Sequence, residues 1–548
     1  MQVVPLGGLG EIGKNMTAVR QSSGIILVDA GMSFPDEEMP GIDLVLPDFT
    51  FLREHADELK GIVLTHGHED HVGSLPYLLR EFNVPVYATK LTLGLVRSKL
   101  QEFGIKKGDL REIKAGDTQN LGGFGLEFIN VNHSIPDAVA IAIRTTAGLI
   151  LFSGDYKIDL TPIEGAPMDL GRLAELGNAG VLAYFGDSTN SERPGFVPSE
   201  RVVGGTLDNV FAKAKGRIIV ASFASHIHRV SQVVEAAKKH NRLVGVAGRS
   251  MIRNVQIARE LGYLDLPDNM FVDQQRDFGR IPDSEIVVMM TGSQGEPLAA
   301  LSRVANGTHR SIEAGPGDTV VIAAHPIPGN ERGVSRTINN LMKRGAEVLY
   351  SPLTPVHVSG HAAQEEQKIV LSLLKPRYLV PVHGEFRHLR HHANTAMALG
   401  IPEENIFLLE NGDTLEFKNG KARRAESVSA GMFLVDGGGL AEGASGVMRE
   451  RQQLSEDGMF IVVARVNAQN GQLIGPPDLI SRGFVTTQGS NGLMEQSTDT
   501  VRRTLERTAK GRVTDRSELK NAVRKDLSGF LSEKTGKRPI ILPLIVEV

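Results

Sequence analysis

Over roughly the first 190 residues, short apolar runs recur, each bounded by Gly, Ser, Asn or Asp. Thr17-Ala18-Val19, Ile25-Ile26-Leu27-Val28, Gly61-Ile62-Val63-Leu64 and Val84-Pro85-Val86-Tyr87-Ala88 are too short for helices and read as strands. Residues 124–131, 138–143, 149–152 and 182–185 continue the series, while the apolar spacing of 72–79 and 89–103 predicts helices. Gly8-Leu9-Gly10-Glu11-Ile12-Gly13 matches a dinucleotide-binding GxGxxG, with Asp29 closing the next apolar run. Only residues 14–24 separate the last glycine from that run, too few for the helix and turns of a βαβ crossover. A tight loop opening a set of antiparallel strands fits better.

From about residue 194 the texture becomes α/β. Arg217-Ile218-Ile219-Val220-Ala221-Ser222-Phe223, a helix over 227–240, Leu243-Val244-Gly245-Val246, Ile286-Val287-Val288-Met289-Met290-Thr291 and residues 318–324 predict parallel strands closing on loops rich in Gly, Ser and His. Strand-end histidine motifs then return in His357-Val358-Ser359-Gly360-His361 and Pro381-Val382-His383-Gly384-Glu385, separated by a helix over 362–374, so the α/β stretch reads as an insertion. Strands near 406–409 and 414–417 close the first domain. The Gly- and Ala-rich stretch 431–446 reads as a linker. Beyond it come strands at 459–467 and 479–485, helices at 499–509 (with Thr498-Asp499-Thr500 as N-cap residues) and 514–535, and a last strand at 539–546. The expected division is 1–193 and 346–425 for one split domain, 194–345 for the insertion, 426–450 for a linker and 451–548 for a small C-terminal α/β domain.

With 548 residues there is ample chain for three or four domains, and no apolar run approaches the length of a membrane span. The N-terminus lacks a basic segment followed by an apolar core, so a cytoplasmic location is expected. A net charge of −4 means that any nucleic acid is met by a local basic surface and not by a bulk field. Without Trp, base stacking falls to Phe, Tyr, His and Arg. Without Cys, disulfides and thiolate ligands are excluded, and metal binding rests on His, Asp and Glu, which favours Zn, Mn or Mg.

The densest chemistry lies in Thr65-His66-Gly67-His68-Glu69-Asp70-His71, at the exit of one apolar run and the start of a helix. A single His there would be a solvated loop residue; three His and an Asp in six residues outline a metal site. This HxHxDH pattern resembles the metallo-β-lactamase superfamily. The resemblance implies a four-layer αββα sandwich, with His66, His68, Asp70, His71, His133 and Asp155 as ligands of two divalent metals (Zn and/or Mn), collected on one rim from strand ends. It also implies that Asp29 supports a histidine ligand from behind. Two such ions would activate water and clamp a phosphoryl oxygen, which is hydrolytic chemistry.

The later motifs tighten the resemblance to the β-CASP nucleases, whose extra motifs map onto Asp187, His361 and His383. On that likeness His383 completes the second metal site, and His361, polarised by Asp187, is the acid for a departing 3′ oxygen. A histidine in the last motif is similar to the RNA-cleaving members. Segments 5–16, 64–76, 290–297, 325–331 and 381–385 resemble the bacterial ribonuclease J family, and the match runs the length of the chain. That implies 5′-to-3′ exonuclease activity on 5′-monophosphorylated single-stranded RNA, some endonuclease activity, roles in mRNA decay and rRNA maturation, a homodimer or tetramer, and partners in an RNA degradation complex.

A 5′-exonuclease needs a pocket of donors for the terminal phosphate. The candidates are Ser225, His226, His228 and Arg229 in one loop and His357, Ser359 and Gly360 in another, with His226 departing from the asparagine of the family pattern. Ser225 and Arg229 could equally be a helix N-cap and a surface charge. The basic residues Arg502, Arg503, Arg507, Lys510, Arg512, Lys520, Arg524 and Lys525 are either a solvated helix face or a surface for RNA or a second subunit. The alternatives to a ribonuclease are a catalytically inactive RNA-binding subunit and a small-molecule metallo-hydrolase. The first would lack metal ligands that this chain has; the second has no use for the insertion or for Asp187 and His361.

Overall fold

The computed structural model of the protein describes every residue except 37, 107, 273–274, 297–298, 328–329, 438, 442–444 and 485–490. Pro297, Pro328 and Gly329 of the family-like segments, Val485 at a predicted strand end, and part of the expected linker lie outside the described residues.

The strands alternate between two apolar environments, as strands of a sheet covered on both faces must. In Gly148–Phe152, Ile150 and Phe152 enter one core while Leu149 and Leu151 enter another. The shared core lies between two sheets. The first, eight-stranded, runs in the order Lys421–Ala425, Thr414–Lys418, Gln2–Gly7, Met16–Gln21, Gly24–Val28, Leu59–Val63, Val86–Thr89, Leu110–Ile113. The second, six-stranded, runs Tyr378–Val382, Ala183–Asp187, Gly148–Phe152, Val139–Thr145, Phe124–Asn130, Thr118–Leu121. Val19, Ile26, Val63 and Tyr87 of the first face Phe124, Phe128, Ile150 and Phe185 of the second. Outside the second sheet, helices Leu170–Ala179, Gln364–Leu374 and Phe386–Ala398 bury Leu173, Leu371 and Ala396 against Leu151, Tyr184 and Leu379. Helix Lys90–Glu102 packs by Val86–Thr89 of the first sheet. The result is the αββα sandwich. As expected, the glycine-rich segment after Gln2–Gly7 holds no crossover helix: only Leu9–Gly10 pairs, with Gly384–Glu385, and Met16–Gln21 then runs antiparallel to both Gln2–Gly7 and Gly24–Val28.

The chain leaves the second sheet after Asp187 and re-enters at Tyr378 as the adjacent parallel strand, with Asp187 opposite Val382. Between these points it builds a separate all-parallel sheet, ordered Phe271–Val272, Leu243–Ala247, Ile286–Met290, Ile218–Ala221, Thr319–Ile322, Glu347–Tyr350. Its strands are near-continuous Val, Ile and Met because helices cover both faces.

A second compact unit comprises Pro35–Asp43 and Leu434–Val548. Its sheet, Asp478–Arg482, Met459–Val466, Ile540–Glu547, packs Phe460, Val462 and Ile541 on Val501, Leu505, Val523 and Leu527 of helices Asn491–Lys510 and Arg516–Thr535. Two expectations need correction here. The 431–446 stretch is no plain linker: Met432–Asp436 pairs antiparallel with Gly439–Ala441, and a helix spans Ser445–Asp457. The helix expected from 499 begins at Asn491, so Thr498, Asp499 and Thr500 lie inside it. The hydroxyls of Ser497, Thr498 and Thr500 donate to carbonyls four residues back at 2.7, 2.9 and 2.8 Å, an intrahelical use of side chains that otherwise signal an N-cap.

Because Phe128 is fully buried between the two sheets, Phe128→Ala is expected to destabilise the sandwich by about 3–5 kcal/mol. Calorimetry would show a clear drop in the unfolding midpoint; an unchanged midpoint would contradict this core.

Candidate metal centre

The rim of the sandwich collects six strand exits. Asp29 follows Gly24–Val28, residues 65–71 follow Leu59–Val63, His133 follows Phe124–Asn130, Asp155 follows Gly148–Phe152, Asp187 ends Ala183–Asp187, and His383 follows Tyr378–Val382. Asp29 adopts φ 61° and aims its carboxylate at the histidine loop. It accepts Thr65 N–H at 2.8 Å and Thr65 Oγ1–H at 2.9 Å, and pairs with His71 Nδ1 at 2.8 Å. That last bond puts the His71 proton on Nδ1 and turns Nε2 toward the centre. Gly31 is required at this rim: a Cβ there would lie 1.7 Å from the Asp70 carbonyl oxygen.

Three imidazoles form the first group. His66 Nε2 lies 3.1 Å and His133 Nε2 3.0 Å from His68 Nδ1. His133 Nδ1–H donates to the Gly360 carbonyl at 2.8 Å, so its Nε2 carries a lone pair. Burial, reinforced by neighbouring imidazoles, holds His66 and His133 well below the usual histidine range, and burial takes His68 down to about 4. The rings are therefore neutral at pH 7, and their lone pairs converge on one point together with Asp155 Oδ2, 3.6 Å from both His66 and His133. Converging acceptors repel one another unless a cation sits among them, which is the donor set of a closed N/O metal site. The four donor atoms lie within 4.8 Å of one another.

The second group is Asp70, His71, Asp155 and His383, again within 4.8 Å. His383 Nε2 is 3.2 Å from Asp70 Oδ2, and His71 Nε2 is 3.2 Å from Asp155 Oδ1. That Asp155 oxygen is buried and has no hydrogen-bond partner among the described residues. Asp155 belongs to both groups, one oxygen turned to each. Burial alone would lower His71 and His383, but the surrounding carboxylates outweigh it. His71 stands well above the usual range, and His383 is pushed up to about 10 by Asp155, Asp187 and Asp70.

His361 Nδ1 lies 2.8 Å from Asp187 Oδ2, and its ring stacks on His383 with centroids 5.3 Å apart. Burial opposes protonation, but Asp187 and Asp155 raise His361 above its ordinary value. Asp187 itself is held low against the effect of burial, first by His361, and its Oδ1 accepts Thr189 N–H at 3.0 Å. Glu69 points away and pairs with Lys99.

The two histidine-rich loops of the insertion's edge also meet. His226 starts helix Ile227–Lys239 and lies with its ring centroid 6.3 Å from that of His357. Ser225 is half-buried and precedes the N-cap position, held by His226, so the N-cap alternative for Ser225 fails. Arg229 is no surface charge: it is fully buried and donates to Glu200 at 3.1 Å and Gln232 at 2.9 Å. Among the described residues, His226 Nε2, His228 Nδ1, Arg229 Nε and His357 Nδ1 are buried without hydrogen-bond partners. Ser359 Oγ accepts the His361 N–H at 3.2 Å. Gly360 turns its carbonyl to the metal centre. Its carbonyl holds His133, and a Cβ on it would meet the His133 ring at 2.6 Å.

Sequence reasoning missed three participants. Thr65 reaches Asp29, His66 Nδ1 and His71 Nδ1; Thr189 Oγ1 contacts His383 Nδ1; and Asn15 Nδ2 lies 3.2 Å from His71 Nε2. Hydroxyls and amides are common in loops, so nothing in the letters marked them.

Comparison with known proteins agrees with this architecture. Residues 9–182 match the metallo-β-lactamase superfamily, 215–341 the β-CASP domain of ribonuclease J, 350–408 an RNA specificity domain of Zn-dependent metallo-hydrolases, and 446–548 the ribonuclease J C-terminal domain. The chain is 43% identical to ribonuclease J2 of Bacillus subtilis over 100% of its own length and 99% of that protein's. It is 41% identical to ribonuclease J of Thermus thermophilus (100% and 95%) and 46% identical to that of Synechocystis (89% and 76%). A crystal structure of a protein of unknown function from Enterococcus faecalis shares the fold, with a TM-score of 0.52 and 16% identity over 75% of this chain and 99% of that one. A buried His/Asp centre on the rim of an αββα sandwich, an inserted β-CASP domain and relatives alike from end to end agree: the chain belongs to the ribonuclease J family of metal-dependent ribonucleases.

Proposed function

We propose that this ribonuclease uses two divalent ions, Zn and/or Mn, to remove nucleotides from the 5′-monophosphorylated end of single-stranded RNA, with some endonucleolytic cleavage, in mRNA decay and rRNA maturation. The observation that carries the reading is the split of the donors into two groups that share Asp155, one oxygen facing each. His66, His68, His133 and Asp155 would hold one ion; Asp70, His71, His383 and Asp155 the other, with Asp29 orienting His71. Bound there, the ions would supply an activated water and neutralise charge on the phosphoryl group.

The protein's own residues supply the rest. His361, kept protonated by Asp187, delivers a proton from Nε2 to the departing 3′ oxygen. Ser225, His226, His228, Arg229, His357 and Ser359 receive the 5′-phosphate; the buried, unpartnered nitrogens of His226, His228, Arg229 and His357 are what supports an anion site there. The family likeness supports a homodimer or tetramer and association with an RNA degradation complex. Among the described residues no helix is long and apolar enough to cross a membrane, and the reading places the enzyme in the cytoplasm.

Metal-reconstituted protein should release mononucleotides from 5′-monophosphorylated RNA, more slowly from triphosphorylated RNA, and scarcely from single-stranded DNA. His68→Ala should lose on the order of 100-fold or more, since even outer partners of a metal site are worth 10–100-fold. No mononucleotides, or His68→Ala behaving as wild type, would sink the proposal. His361→Ala should keep metal content and RNA binding but lose about 10²–10⁴-fold in turnover; parallel loss of metal would make His361 a ligand instead.

Metal uptake should depend on pH with a definite sign. His66, His68 and His133 are neutral at pH 7, so the first ion displaces no proton from them. His71 and His383 are protonated below their raised values, so the second ion must expel protons and binds more tightly as pH rises. Titration calorimetry in buffers of different ionisation enthalpy should show proton release for the second ion only; equal release for both would contradict the assignment.

A further inference from the structure

The carboxylate of Glu366 is fully buried, and among the described residues the hydrogen bonds it accepts come from backbone N–H groups and not from a side-chain cation. Its oxygens accept three backbone N–H groups from three separate segments. Oε1 takes Ile158 N–H at 2.8 Å; Oε2 takes Val197 N–H at 2.9 Å and Ala363 N–H at 2.8 Å. The bond to Ala363 is the glutamate half of a capping box at the start of helix Gln364–Leu374, where the alanine N-cap has no side-chain acceptor to return it. The other two have no role in capping. Ile158 lies three residues beyond Asp155, Val197 lies on the way into the insertion, and Ala363 lies two residues beyond His361. The next residue, Gln367, also buried, donates Nε2–H to the Asp187 carbonyl at 3.2 Å and to Ser191 Oγ at 2.8 Å. The first turn of one helix thus ties together the loops that carry Asp155, Asp187 and His361.

We propose that Glu366, aided by Gln367, is a positioning residue that keeps the His361 imidazole aligned between Asp187 and the leaving oxygen. The proposal rests on the reading of His361 as the proton donor. In that step the P–O3′ bond breaks, water oxygen bonds to phosphorus, the His361 Nε2 proton passes to the 3′ oxygen, and the proton lost by water restores the imidazolium. Misplacement by about 1 Å suffices to cost such a step on the order of 100-fold.

The test compares two leaving groups in the metal-loaded full-length protein. A 3′ alkoxide needs a proton to leave. The p-nitrophenolate of uridine 5′-(p-nitrophenyl phosphate) does not at mildly alkaline pH. Glu366→Gln places an NH₂ among three N–H donors. Its activity on RNA should fall on the order of 100-fold while activity on the p-nitrophenyl ester falls less than about tenfold, and His361→Ala should show the same selectivity. If Glu366→Gln loses both activities in parallel, or neither, while His361→Ala remains selective, Glu366 is structural or idle and the proposal is overturned. If His361→Ala itself loses both in parallel, the proton-donor reading fails first and the proposal falls with it. Should Glu366→Gln not fold, Gln367→Leu cuts the ties to Asp187 and Ser191 and must give the same selective loss; parallel loss there is equally fatal.

Discussion

The Asp155 carboxylate is the constraint on which the rest of the centre depends. It is almost completely buried, and imidazole nitrogens of His66, His71, His133, His361 and His383 stand 3.2–3.9 Å from its oxygens. A buried anion is tolerated only when charge and hydrogen bonds surround it. Here the surroundings are a mixture of neutral and protonated rings, and the mixture follows from which ring has a carboxylate behind it. His71 has Asp29 and His361 has Asp187, whereas His133 has only a carbonyl. One set of residue types thereby places both neutral rings with free lone pairs and protonated rings around a single carboxylate.

The sandwich makes this arrangement possible by geometry. Parallel neighbours in the second sheet put Asp187 opposite Val382, one residue before His383, although 194 positions of chain separate Thr189 from His383, whose side chains touch. The insertion can vary in size without disturbing that register because it leaves and returns at adjacent strands. It also brings the His226 loop to face His357, with ring centroids 6.3 Å apart.

Two further buried carboxylates lie close to the centre. Glu200 receives Arg229 at 3.1 Å, has Lys157 Nζ at 3.6 Å and lies 3.7 Å from His226 Nε2. Lys157 is two residues from Asp155 and Glu366 accepts the next N–H, so both buried glutamates join the segment after Asp155 to more distant elements, Glu200 to Arg229 and Glu366 to Val197. Breaking one partner of such a set strands a charge in the interior, which is why these contacts hold loops in one position more firmly than apolar packing would.

Read as letters alone, the chain discloses the metal centre because ligation demands scarce residue types at strand ends, and His66, His68, Asp70 and His71 lie within one turn of sequence. The insertion is legible for a similar reason: its doubly covered strands are unbroken Val, Ile and Met. Local signals failed where one residue type has two uses. Ser497, Thr498 and Thr500 bond within a helix instead of capping it, and Arg229 is a buried partner of Glu200. The roles of Thr65, Gly360 and Glu366 were decided only by packing. Each acts on a neighbour brought close by sheet register or loop closure, and a short-range pattern carries no record of contacts between residues as far apart as Glu366 and Ile158.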